Sequence, residues 1–126
     1  MESTCFSPCP GAAATEVVDG RPLVGVVHDE NSRALGGKCG HAGLFSTAQD
    51  LMKFSRSLLD GTLLSSASIQ AMLSKDNVAR GGNHAVGWQV IVENRPSSAG
   101  CLLSPLAFGH TGFTGTSIWI DLEKHW

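Results

Sequence analysis

Over residues 47–60 the chain reads TAQDLMKFSRSLLD, and a helix gathers its apolar side chains on one side. Leu51, Phe54, Ser55, Leu58 and Leu59 recur three and four apart, the repeat of a helix face rather than the alternation of a strand. Ser46 stands where an N-cap belongs, and Gln49 three residues later completes a capping box. Asp50 in the first turn suits the positive end of the helix dipole, and Gly61 is placed for a left-handed C-terminal cap. A helix with one apolar stripe must bury it, so the rest of the chain has to supply a partner layer.

The downstream pattern supplies strands. In HAVGWQVIVEN, Val86, Trp88, Val90 and Val92 alternate, which predicts a strand. A second should begin near Leu106, and a third should span residues 116–122 with Ile118 and Ile120 on one face and Trp119 on the other. A shorter helix is expected over residues 66–74, with Ile69, Met72 and Leu73 inward. Upstream, Pro8, Pro10, Gly11, Gly20 and Pro22 predict irregular chain over residues 1–22. Leu23, Val24, Val26 and Val27 suggest a short extended segment before a loop carrying Gly36, Gly37, Gly40 and Gly43. Helices followed by antiparallel strands make the expected class α+β, a mixed α/β fold.

Bulk properties exclude several functions. The chain has 126 residues, enough for one small domain, and a net charge of −2. No run of Lys or Arg offers a footprint for nucleic acid. No apolar run approaches the roughly 18 residues of a membrane span, and MESTCFSPCP lacks the basic start and apolar core of a secretory signal. Of the four cysteines, Cys5 and Cys9 are spaced C-x3-C, and no second pair completes a zinc framework. All four, Cys39 and Cys101 included, read as free thiols. No cofactor pattern is present: Gly-x-Gly-x-x-Gly, the phosphate-loop pattern and His-Glu-x-x-His are absent, as is the Gly-x-Ser-x-Gly nucleophile elbow.

Two stretches concentrate chemistry. FGHTGFTGTSIWID, residues 108–121, sets His110 and the hydroxyls of Thr111, Thr114 and Thr116 among Gly109, Gly112 and Gly115. By spacing alone His110 is a strand histidine with a structural hydrogen bond. His28, Asp29, Glu30 and Asn31 gather potential ligands, but consecutive residues cannot all converge on one ion, so metal is not assigned. They read instead as a hydrogen-bond network that pins a loop, with His41 of GHAG in a similar structural role. Trp88 and Trp119 read as packing residues.

Taken in order, VHDEN, GHAGLFSTAQDL and GHTGFTGTS closely resemble the serine β-lactamase-like hydrolases, the class C β-lactamase, DD-peptidase and esterase relatives of the penicillin-binding superfamily. The resemblance covers residues 14–121. Such proteins use Ser-x-x-Lys, Tyr-x-Asn and Lys-Thr-Gly, the last often as His-Thr-Gly. It implies that His110, Thr111 and Gly112 bind substrate at the edge of the active site, and that the backbone N–H of Phe113 is one oxyanion-hole donor. Glycines there would let substrate lie against the strand. No serine is followed by lysine three residues on, and the chain has no tyrosine. The nucleophile and its bases, which lie further N-terminal in relatives, are therefore missing. The resemblance thus implies the C-terminal part of a partial β-lactamase/transpeptidase-like fold, incomplete at both ends and needing a complementary N-terminal segment. The parent would attack an amide or ester carbonyl through an acyl-enzyme, on β-lactams, peptidoglycan-derived peptides or small esters. Alternatives are a muropeptide amidase or D-amino-acid peptidase of the same superfamily, or a non-catalytic binding or structural remnant.

Overall fold

The apolar stripe finds its partner in a sheet. In the computed structural model, which describes residues 1–78 and 81–126, the helix spans Ala48–Leu59, and Phe54, Leu58 and Leu59 join one core with Ile69, Val90, Phe108 and Ile120. Leu58, Phe108 and Ile120 are almost wholly removed from solvent, while Met52 on the opposite face is exposed. The chain divides into two compact units, Met1–Lys53 and Phe54–Trp126.

The first unit opens with strands where proline and glycine predict irregular chain. β1 (Cys5–Phe6) pairs antiparallel with β4 (Leu44–Phe45), and β2 (Ala14–Val18) pairs antiparallel with β3 (Arg21–Val24). The β2–β3 turn is Asp19-Gly20, with φ of 49° and 74°. Two positive φ values in a two-residue loop match the natural twist of a hairpin, and Asp-Gly is one of the dipeptides that adopt them readily. The hairpin therefore follows from local turn chemistry. Val17, which it leaves exposed, carries no core signal.

Little apolar surface is buried in this unit; Val27 is its one buried large aliphatic side chain. Polar links do the holding. The Ser7 N–H donates to the Gly43 carbonyl at 3.1 Å, the Val27 N–H to Ser7 Oγ at 3.3 Å, and Ser32 Oγ to the Ala42 carbonyl at 2.9 Å. A disulfide joins Cys5 and Cys9, which corrects the free-thiol expectation for that pair. The chain reverses between them, bringing their Cα atoms to 6.4 Å, within bridging range. C-x3-C spacing does not reveal such a reversal. Cys39 and Cys101 are free.

A short helix, α1 (Glu30–Ala34), follows, and then α2 (Ala48–Leu59). The α2 cap lies one residue beyond the expected Ser46. Thr47 Oγ1 accepts the Asp50 N–H at 3.2 Å, and the Thr47 carbonyl accepts the first helical N–H, that of Leu51. Ser46 faces Thr4 instead, with 2.9 Å between their hydroxyls. Asp50 is buried and accepts from the Ser3 N–H and from Thr4 Oγ1, both at 2.8 Å. Burial opposes its ionisation, but these bonds win and hold its carboxyl below the ordinary range.

The second unit holds α3 (Ser66–Leu73), capped by Ser65 Oγ on the Ser68 N–H at 3.1 Å, and a three-stranded antiparallel sheet. Its order is β5 (Gln89–Val90), β6 (Ala107–Thr111), β7 (Ser117–Asp121). Register pairs Phe108 with Ile120 and with Val90, so these three side chains share the core face, joined by Ile118. Trp88 packs edge-on to Phe108 at 4.9 Å between ring centres and stacks on Phe54 at 6.3 Å. β5 is shorter than the Val86–Val92 alternation implies. The Ala85 N–H donates to the Trp88 carbonyl at 2.8 Å, closing a turn that takes Val86 out of the sheet and leaves it exposed.

One buried carboxylate closes this unit. Asp121, fully buried, accepts from the Ser104 N–H (2.8 Å), Ser104 Oγ (2.6 Å) and the N–H groups of Glu123 (3.0 Å) and Lys124 (3.1 Å). Burial alone would raise its pKa, but the donors from Ser104, Lys124 and Glu123 outweigh burial and lower it to about 2.

Among the described residues no helix is long and apolar enough to cross a membrane, and no group of three or more His, Cys, Asp or Glu side chains is placed to hold a metal ion.

Candidate functional site

β6 runs from core to surface. Ala107, Phe108 and Gly109 are buried, His110 is exposed and Thr111 half-buried. Hydrophobic pairing with β5 and β7 thus anchors one end and delivers His110 and Thr111 to solvent at the other. Gly112 opens the turn to β7: its N–H donates to the Thr116 carbonyl at 2.6 Å, and its carbonyl accepts from Gly115 at 3.1 Å.

The glycines answer first to the protein's own packing. A Cβ on Gly109 would overlap the Trp119 ring and the Ile118 carbonyl, and one on Gly112 would overlap Thr116 Oγ1. Gly109 is the registered partner of Trp119, whose indole lies across the strand in place of a side chain. Close approach is thus real at Gly109, and the group that approaches is Trp119.

Four polar side chains meet at the surface end. His110 Nδ1 lies 2.8 Å from the Thr111 carbonyl, and the His110 ring sits edge-on to His84 at 5.9 Å and 72°. Gln89 Nε2 reaches His84 Nε2 at 3.2 Å and Thr111 Oγ1 at 3.5 Å. His84 and Gln89 carried no motif. Their one sequence signal is that they flank the turn before β5, and a bridge between them closes it. The Phe113 side chain is 93 % exposed, so a wall for an enclosed groove is not built from it.

His28, Asp29, Glu30, Asn31 and His41 belong to the first unit. Asp29 caps α1: its Oδ1 accepts the Ser32 N–H at 2.7 Å and lies 3.0 Å from His41 Nε2. The Ser32 N–H, then His41, hold the Asp29 carboxyl below its ordinary pKa. His28 faces elsewhere, with Nε2 3.2 Å from Glu16 on β2. Arg33 reaches back to the Val27 and His28 carbonyls at 3.2 and 2.8 Å. Glu30 and Asn31 are exposed in the first turn of α1.

The Beta-lactamase family model matches residues 6–126. The chain belongs to that family. It is thereby a member of the serine β-lactamase and penicillin-binding superfamily of hydrolases. Among curated proteins it is similar to a "Putative D-alanyl-D-alanine carboxypeptidase" of Escherichia coli O157:H7, at 35 % identity over 111 residues, covering 80 % of this chain and 25 % of that protein. The protein of the same name from Escherichia coli K12 is 34 % identical over 113 residues, covering 82 % and 25 %. The one from Salmonella enteritidis PT4 is 34 % identical over 112 residues with the same coverage. The chain spans about a quarter of the length of the curated relatives it matches. No solved structure matches it significantly.

Proposed function

We propose that this chain is the substrate-facing C-terminal part of a serine hydrolase that cleaves an amide carbonyl through an acyl-enzyme, with a peptide ending in D-alanyl-D-alanine as its substrate class. The observation that carries this is His110-Thr111-Gly112 at the exposed end of β6, a strand whose other end is locked in the core. A strand end held in place by the core fixes the positions of these residues, and the hydroxyl of Thr111 supplies a donor for the terminal carboxylate. His110 adds a titratable ring beside it. The backbone N–H of Phe113 is the proposed oxyanion donor, stabilising charge that develops on the attacked carbonyl oxygen. The relatives' printed name supports the substrate class.

The chemistry itself needs an activated nucleophile, and this chain holds neither Ser-x-x-Lys nor any tyrosine. The chain alone is therefore inactive, a reading that the same absence supports for a non-catalytic remnant. The test has two arms. Titrating N-acetyl-D-alanyl-D-alanine into the 15N-labelled chain should move the amide signals of His110, Thr111, Gly112 and Phe113. Incubation with a fluorescent penicillin should leave no covalent adduct. Signals that move only elsewhere would remove the binding assignment, and a stoichiometric adduct on any serine would overturn the inactivity.

A further inference from the structure

Resting on that reading of His110-Thr111-Gly112, we propose that Gln89 and His84 are positioning residues for Thr111, forming a relay that fixes which way the threonine hydroxyl donates. Gln89 Nε2 stands 3.2 Å from His84 Nε2 and 3.5 Å from Thr111 Oγ1. An amide nitrogen carries two hydrogens and accepts none. One N–H directed at each neighbour makes both neighbours acceptors. His84 Nε2 is then the bare nitrogen, and the ring's proton sits on Nδ1. Thr111 Oγ1 uses a lone pair on Gln89, and its single hydrogen turns away from Gln89 to meet an incoming oxygen.

The second histidine is set by the same logic. His110 Nδ1 faces the Thr111 carbonyl at 2.8 Å, and a carbonyl only accepts, so Nδ1 carries the proton in that contact. The two imidazoles, edge-to-face at 5.9 Å, thus share one tautomer. Register explains how the parts meet. Gln89 pairs with Gly109, two residues before Thr111, so both side chains emerge on the same face as diagonal neighbours. A ligand with an anionic oxygen, such as the terminal carboxylate of a peptide, is the class this arrangement suits. A group that must itself donate is disfavoured.

Long-range 1H–15N correlation of histidine-labelled chain, at a pH where the rings are neutral, reads each tautomer directly. His84 and His110 should both appear in the Nδ1–H form. In Gln89→Leu, His84 should return to the Nε2–H form that free imidazoles favour. Affinity for N-acetyl-D-alanyl-D-alanine should then fall about tenfold, the scale of one charge-assisted bond. Gln89→Glu, whose carboxylate can only accept, should draw the Thr111 hydrogen inward and weaken binding at least as much. Unchanged Phe108 and Ile120 amide shifts show that each variant is folded. An Nε2–H tautomer for His84 in the unaltered chain overturns the relay, as does unchanged affinity in both variants. Correct tautomers in a chain that does not bind the peptide leave the relay standing and remove the proposed function.

Discussion

Asp121 shows how a single carboxylate can matter more than its surroundings suggest. It reads in sequence as the polar end of a strand, because nothing in SIWID signals that four donors will converge on it. The donors come from Ser104, seventeen positions away, and from the turn that follows. Its folded pKa of about 2 lies below the ordinary 3.8. The stabilisation is therefore complete above about pH 4 and is lost as pH falls through about 2. Asp121→Asn should cost on the order of 2 kcal/mol at neutral pH and should flatten the acid limb of a plot of thermal midpoint against pH. An unaltered acid limb would show that Asp121 is not the titrating group. Gly109 makes the complementary point. Sequence marked it as a close-approach residue, but only the register opposite Trp119 tells what approaches. Gly109→Ala should lower the thermal midpoint by several degrees, since the backbone and the ring must both shift. No change in midpoint would mean that Trp119 repacks freely.

At the scale of elements, periodicity was the dependable signal. It located α2 within a residue at each end, α3 likewise, and β7 within a residue with Ile118 and Ile120 sharing one face. Signals of one or two residues were weaker. Ser46 and Thr47 are chemically equivalent candidates for the cap, and the choice fell to Thr47 because Thr4 takes the Ser46 hydroxyl. Thr47→Ala should thus cost about 1 kcal/mol in denaturant unfolding, and Ser46→Ala well under half of that. The reverse order would restore Ser46 as the cap. The β2–β3 hairpin was legible in Asp19-Gly20 but masked by the prolines around it. α1 was hidden because five residues are too few for a periodic pattern. Of the candidate site, His110-Thr111-Gly112 was visible as a motif. His84 and Gln89 were not, since a side-chain relay leaves no periodic or spacing signature.

For the molecule as a whole, the two units are held by different forces. Phe54–Trp126 owns the apolar core, whereas Met1–Lys53 relies on polar links and the Cys5–Cys9 bridge. Amide hydrogen exchange should therefore be slowest at Phe108 and Ile120 and markedly faster through β2 and β3. Reduction of the disulfide should speed exchange around β1 and leave Phe108 unchanged. Uniform protection across both units would contradict this division. β7 pairs with β6 on one side, and among the described residues no strand covers its other edge. Such an edge templates association. Light scattering should detect larger species as concentration rises, and a monomer throughout would show that the edge is protected.

The indole laid across Gly109 also gives the protein a spectroscopic handle. The chain has three tryptophans, so biosynthetic 5-fluorotryptophan yields a 19F spectrum of three lines. Trp88 reports on the core, and Trp126 on the C-terminal turn. Trp119 lies against the residue just before His110, so its line should respond to occupancy of that strand end while the Trp88 line stays still. Ligand screening thus needs neither turnover nor an attached dye.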